Sequence, residues 1–142
     1  MSARDTRGGQ RVLVVEDEPD LLATYERLLG RQGYEVTTAT SRAGGLAAVR
    51  AATEDHRLDL VICDLRLHDD DGLEVVWAAR GTVDPPSVIV ITGYPSHEAR
   101  RAASAAGATA FFAKPFVAAA LLAAVRSSLA PSAPSGSGEP RP

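Results

Sequence analysis

The sequence predicts an α/β fold, a five-stranded parallel sheet doubly wound by helices as (βα)5, and three observations predict it. Short apolar runs recur at RVLVV (11–15), LDLVICD (58–64), SVIVIT (87–92) and ATAFFA (108–113), as in strands buried on both faces. Segments with helical spacing separate them, the alternation that builds parallel sheets. Chemically able side chains follow the strand runs directly: Glu16 and Asp17, Asp64, Thr92 and Lys114. Parallel strands all end at one edge, where such sheets bind ligands, so residues up to 98 positions apart meet in one cleft.

Each element has its own signal. After the first strand, Pro19 to Gln32 reads as a helix: proline suits a first turn, and Leu21, Leu22, Tyr25, Leu28 and Leu29 repeat at helical spacing. Gly33 stops it, and EVTTA (35–39) is the second strand. Ser41 caps a helix running to about Ala52, in which Gly44 and Gly45 each cost about 1 kcal/mol relative to alanine. A third helix spans Gly72 to Arg80, and Pro85-Pro86 closes its connection to the fourth strand. His97 to Ala106 is a short helix stopped by Gly107, and Val117 to Leu129 is the last. Residues 1–10 form a polar arm. Residues 130–142 form a Pro/Ser/Gly-rich tail or linker with almost nothing to bury.

Composition narrows the function classes. The 142 residues are 45% hydrophobic and 23% charged, which suits one globular domain. A net charge of -3 provides no basic field for nucleic acid or an anionic membrane. Cys63, the single cysteine, cannot form an intramolecular disulfide and sits in a strand run as a core side chain. The polar start MSARDTRGGQ lacks the apolar stretch of a signal peptide. The longest uncharged apolar run, 115–125, falls short of the about 20 residues a span needs. A soluble, cytoplasmic protein is expected.

The constellation at the strand ends suggests its own chemistry. Clustered carboxylates repel, so they take up protons or share a cation. An oxygen-only donor set with no His/Cys cluster suits Mg²⁺, with Mn²⁺ as a substitute. Asp64 is then a nucleophile able to form an acyl phosphate, with Lys114 as countercharge and Thr92 as hydroxyl donor. Together these parts suit metal-assisted phosphoryl transfer onto Asp64.

VLVVEDEPDL (12–21), LVICDLRL (60–67) with DGLEV (71–75), VIVITG (88–93) and GATAFFAKPF (107–116) carry a resemblance. With these motifs residues 11–129 resemble the receiver domain of two-component response regulators, a flavodoxin-like fold. The resemblance implies that Glu16, Asp17, Asp64 and the backbone carbonyl of Arg66 ligate Mg²⁺ and that Asp64 is phosphorylated. It makes Thr92 the switch hydroxyl, Lys114 the phosphate-pairing lysine, Phe111 the aromatic that changes rotamer, and Lys114-Pro115 a cis peptide. Arg66 and Tyr94 would flank the attacking water and slow autodephosphorylation. The surface of the fourth helix, fifth strand and fifth helix would change on phosphorylation. The phosphoryl donor would be a histidine kinase or phosphotransfer protein, with a phosphorylation-dependent homodimer as a further expectation. The protein would be a signalling switch, not an enzyme beyond catalysing its own phosphorylation and autodephosphorylation.

The sequence departs from the receiver pattern in several places. His68 stands where proline is common and reads as an exposed loop residue rather than a metal ligand. Asp69, Asp70 and Asp71 make an acidic loop, read as solvated and incidental. Phe111 replaces the frequent tyrosine, and the last helix lacks an acidic cap. His97, Arg100 and Arg101 read as a solvated helix face, and Trp77 as partly packed. Two alternatives stand beside the switch. One is an unphosphorylated receiver-like binding module. The other is a phosphohydrolase of the haloacid dehalogenase type, which wants a second aspartate where Arg66 stands. A dinucleotide-binding turn is excluded by Glu16-Asp17-Glu18 where glycines are needed.

Overall fold

The computed structural model describes residues 9–53, 55–68 and 70–130. The expected arm through Gly8, the tail from Pro131 onward and Asp69 lie outside the described residues. The elements are β1 (Arg11–Val15), α1 (Pro19–Gly30), β2 (Glu35–Ala39), α2 (Arg42–Ala51), β3 (Leu60–Asp64), β4 (Arg66–Leu67), β5 (Asp70–Asp71), α3 (Leu73–Arg80), β6 (Ser87–Thr92), α4 (His97–Ala106), β7 (Ala110–Ala113) and α5 (Ala118–Leu129). The five long strands pair in parallel in the order β2-β1-β3-β6-β7, the flavodoxin-like arrangement. Strand order reverses between β1 and β3, which makes a crevice at their carboxyl ends.

Alternation along the strands divides the core into two layers. Val12, Val14, Leu60, Ile62, Ile89 and Ile91 face α1 and α5, where Tyr25, Leu29, Leu121 and Val125 close on them. Leu13, Val15, Val61, Cys63, Val88 and Val90 face the other way, against Val49, Val75, Val76, Ala79, Ala103 and Ala106 of α2, α3 and α4. Cys63 is thus a core side chain, and burial pushes its thiol well above the ordinary range. At about 25 cal/mol per Å² of apolar surface removed from water, these two layers supply most of the stabilisation. Both faces are covered, so the continuous apolar runs are satisfied.

The helix signals act where they were read. Pro19 opens α1, and the Ser41 hydroxyl accepts from the N–H of Gly44 at 3.0 Å; Ser96, a cap the sequence reading did not single out, accepts from the N–H of Ala99 at 2.9 Å. Gly107 ends α4 in the left-handed conformation. Gly45 has a packing reason that its helix propensity hides. A Cβ there would lie 3.1 Å from methyls of Val15 and Val75, so glycine lets α2 approach β1 and α3. Trp77 is 58% exposed, its indole only partly packed.

One element is additional to the sequence prediction. Arg66–Leu67 and Asp70–Asp71 pair as a short antiparallel ribbon, with Arg66 opposite Asp71 and Leu67 opposite Asp70. Two-residue strands have no readable period. The reading of this acidic stretch as incidental is corrected at two positions. Asp70 lies 3.5 Å from the guanidinium of Arg42, and an Asp71 carboxylate oxygen accepts the N–H of Leu73 at 2.9 Å, at the start of α3. Gly72 follows because any Cβ there would run into the Asp64 carbonyl oxygen.

Candidate functional site

Among the described residues, three polar ones are buried, and all stand at the carboxyl ends of strands. Glu16 follows β1 and is 1% exposed, Asp64 ends β3 at 5%, and Thr92 ends β6 at 1%. The same backbone that hides Val15 and Cys63 carries these groups a residue further, where the crevice opens. Asp17 is less enclosed, its side chain 18% exposed. Lys114 follows β7, and its backbone N–H donates to the Thr92 carbonyl at 2.8 Å, extending the sheet by one link. The Lys114–Pro115 peptide is cis.

These side chains form one electrostatic unit. The Lys114 ammonium donates to Asp64 Oδ2 at 2.7 Å and lies 3.1 Å from Glu16 Oε1 and 3.4 Å from Oε2. Burial alone would pull the ammonium's pKa down, but the bond to Asp64 and the charges of both carboxylates outweigh it and raise it. Glu16 goes the opposite way for a carboxylate. Burial first, then the Asp64 charge, lift it from 4.5 to about 7 against the lowering by Lys114. One ammonium thus serves two buried carboxylates. Glu16 Oε1 has no hydrogen-bond partner among the described residues despite its nearness to Lys114.

A backbone amide holds one oxygen of each carboxylate. The N–H of Glu18 donates to Glu16 Oε2 at 3.2 Å, that of Arg66 to Asp64 Oδ1 at 2.9 Å, and that of His68 to Asp17 Oδ2 at 2.6 Å. Oxygens of Glu16, Asp17 and Asp64 all lie within 4.8 Å of one another, a spacing that fits one cation. Three carboxylates and an orphaned buried oxygen match the donor preference of a hard divalent ion, which the single ammonium only partly replaces. The acidic cluster therefore fits a metal.

The rim and switch positions are placed as follows. Thr92 Oγ1 accepts the N–H of Tyr94 at 3.0 Å. The Arg66 guanidinium stacks over the Tyr94 ring, 4.2 Å from its centroid, and so bridges the β3 and β6 ends of the cleft. Phe111 on β7 pairs with Val90 in the sheet and packs partly against the α2–α3–α4 layer. Its ring lies under the Arg100 guanidinium at 4.4 Å. The helix face read as merely solvated at Arg100 thus contacts the expected switch aromatic. His68, read as an exposed loop residue, has an exposed side chain. Its backbone is left-handed, at φ 57°, and binds Asp17. The only sequence signal for that tie was histidine in place of proline, since proline has neither this conformation nor an N–H to give.

Comparison with known proteins identifies the family. Residues 12–126 match the response regulator receiver domain. Transcriptional regulatory protein PrrA of Mycobacterium tuberculosis is 41% identical over 119 residues, 84% of this chain and 49% of PrrA. KdpE from the same organism is 41% identical over 105 residues, 74% of this chain and 44% of KdpE. The chain spans about half the length of these curated relatives. A CheY-like receiver domain protein from Methanospirillum hungatei superposes with a TM-score of 0.77 at 30% identity, covering 85% of this chain and 94% of that one. A Burkholderia pseudomallei response regulator, solved with a phosphorylated aspartic acid, a calcium ion and citrate, superposes at 0.75 with 28% identity, covering 84% and 68%. The chain belongs to the receiver domain family of two-component response regulators.

Proposed function

We propose that the protein is a phosphorylation-activated switch that accepts a phosphoryl group on Asp64 from a histidine kinase or phosphotransfer protein in the cytoplasm. The observation that carries this reading is the shared ammonium. Asp64 is 5% exposed, ends a fully buried strand, and is held at both oxygens by Lys114 and the Arg66 N–H. A rigid, partly dry carboxylate with a fixed countercharge is prepared as a nucleophile. The phosphorylated aspartate and calcium ion of the Burkholderia pseudomallei relative support the same chemistry.

In this reading a carboxylate oxygen of Asp64 attacks phosphorus, an O–P bond forms, and the donor's P–N bond breaks, with the leaving nitrogen keeping the electron pair and taking up a proton. Glu16, Asp17, Asp64 and the Arg66 carbonyl would hold Mg²⁺, or Mn²⁺, which neutralises charge on the transferring group when bound. Lys114 pairs with the new phosphoryl oxygens, and Thr92 turns its hydroxyl toward them, giving up the Tyr94 N–H. Phe111 then moves toward the space Thr92 vacates, and the surface of α4, β7 and α5 changes. Arg66 and Tyr94 restrict the water that would attack the acyl phosphate. The only catalysis is the cleft's own gain and loss of phosphate. Phosphorylation-dependent homodimerisation and a downstream output domain or partner of unknown kind are part of the proposal. Differential stabilisation of the two states of about 1–3 kcal/mol suffices for the switch.

Intact mass after incubation with phosphoramidate tests this. One phosphoryl group should be gained with Mg²⁺ by the wild type, and none by Asp64→Ala or in chelator. A folded wild type that gains nothing, beside a competent control, would overturn the reading. Thr92→Ala should still gain phosphate while its α4–β7–α5 surface stays unchanged by NMR. An undiminished surface change would break the coupling route.

A further inference from the structure

The cleft holds one donor that a receiver's hard-cation site does not require, the imidazole of His68. We propose that His68 is a fourth side-chain ligand of the centre formed by Glu16, Asp17 and Asp64, giving the site a preference for borderline divalent ions such as Co²⁺ and Ni²⁺ over Mg²⁺. This inference rests on the metal centre of the proposed function and deepens it.

Three features support it. His68 lines the same cleft as the three carboxylates, and its Nδ1 lies 3.4 Å from Asp17 Oδ2. Two cis donors on an octahedral ion with bonds of about 2.1 Å are about 3 Å apart, so Asp17 and His68 can share one cation, with the imidazole turning in from outside the three carboxylates whose oxygens lie within 4.8 Å of one another. At its present length the imidazole contact is too long for a strong hydrogen bond, and Asp17 Oδ2 receives its short bond from the His68 backbone N–H instead. The ring is therefore placed at the site without being consumed there. The third feature is conformational. At φ 57° the backbone is in the left-handed region, and the same residue that is tied to Asp17 through its N–H also turns its ring to Asp17. The imidazole side chain is 76% exposed, so its rotation toward a cation displaces only water.

The chemistry then decides the ion. Mg²⁺ prefers oxygen ligands and water, and gains little from imidazole, whereas Co²⁺ and Ni²⁺ bind imidazole nitrogen strongly. Any oxygen site favours these ions somewhat over Mg²⁺, so affinity alone does not identify the histidine. The informative quantity is how one substitution changes each metal's affinity.

Titration calorimetry of Mg²⁺, Co²⁺ and Ni²⁺ into the full chain, wild type and His68→Asn, makes that comparison. Asparagine tolerates the left-handed conformation and keeps the N–H to Asp17, so only the imidazole is lost. The expected result is a rise in the Co²⁺ and Ni²⁺ dissociation constants of at least about tenfold, the lower range for losing even an outer-shell partner, with Mg²⁺ changed less than about twofold. The visible absorption of the Co²⁺ complex should shift with the loss of nitrogen. Equal weakening of all three ions would overturn the proposal and leave His68 acting only through Asp17. No change for any ion would overturn it as well. A wild type that binds none of them would overturn the metal centre itself, a distinct outcome, read from the Mg²⁺ titration alone.

Discussion

β1 and β3 each cross two very different regions within one residue, and the comparison separates what holds this molecule together from what it does. From Val12 to Val15 and from Leu60 to Cys63 the side chains are 0–1% exposed and apolar, packed into one layer or the other. At Glu16 and Asp64 exposure hardly changes, yet the side chains carry charge. Burial stabilises in the first region and costs in the second. The core can support a cleft in which two carboxylates share one ammonium because the strands beneath are fixed by apolar contacts that do not depend on the charges.

Removing the ammonium should break this balance most severely. Lys114→Ala leaves Glu16 and Asp64 buried and facing each other without a countercharge. A loss of about 3 kcal/mol is expected in chelator at pH 8, the low end for deleting one partner of a buried ion pair, because Glu16 can take up a proton. That relief disappears as pH rises, so urea unfolding should show the deficit shrinking at pH 6. A uniform deficit would place the loss in packing of the lysine stem.

Glu16→Gln should act in the opposite direction. In the folded chain the Glu16 pKa is raised from 4.5 to about 7, so the folded state binds the extra proton between those values. Its contribution is intact below pH 4.5 and is lost as pH rises toward 7, by roughly 2–3 kcal/mol. In chelator the wild type should therefore lose stability across that window, while Glu16→Gln stays flat and exceeds it at pH 8. Mg²⁺ should restore the wild type and help the variant less. A variant less stable than wild type at pH 8 in chelator would show that the cleft is better compensated than its orphaned oxygen indicates.

The division between core and cleft also explains what the sequence could disclose. Runs rich in Val, Leu and Ile made β1, β3 and β6 legible, because these strands are buried on both faces, whereas EVTTA and AFFA were legible from β-prone residues and their place in the strand–helix alternation. Glu16, Asp17, Asp64, Thr92 and Lys114 were legible because each stands at the end of such a run, and topology alone brings them together. The ribbon of Arg66–Leu67 with Asp70–Asp71 was not, since two residues have no period, and neither was the Arg42–Asp70 pair, since its partners come from separate elements. The place of His68 against Asp17 depends on a left-handed backbone, which histidine in place of proline permits but does not announce.

At the rim the two regions meet through the stack of Arg66 on Tyr94. Cutting both to alanine opens the β3 and β6 ends of the cleft without touching Asp64 or Lys114. The phosphate on Asp64 should then be lost about tenfold faster, a barrier change of ~1.4 kcal/mol, followed by intact mass over time. Unfolding midpoints should move little, because a surface cation–π pair is worth about 0.5–1 kcal/mol. An unchanged lifetime would remove the rim from control of water.

Tyr25 gives the smallest effect and the sharpest test of where the core ends. Its ring is 1% exposed and stacks on Phe116 with centroids 5.6 Å apart and planes 11° from parallel. Its hydroxyl has no hydrogen-bond partner among the described residues, and burial, then the charges of Glu16, Asp64 and Glu18, raise its pKa. An unpaired buried hydroxyl costs stability, while a ring of the same shape without it keeps the stack. Tyr25→Phe should therefore unfold at the same denaturant concentration as wild type or a higher one, by up to ~1 kcal/mol. If it unfolds earlier by that amount, the hydroxyl is bonded in solution. The polar region would then extend from the cleft inward beneath α1, and the boundary between apolar layer and charged cleft would lie a full side chain deeper than Glu16.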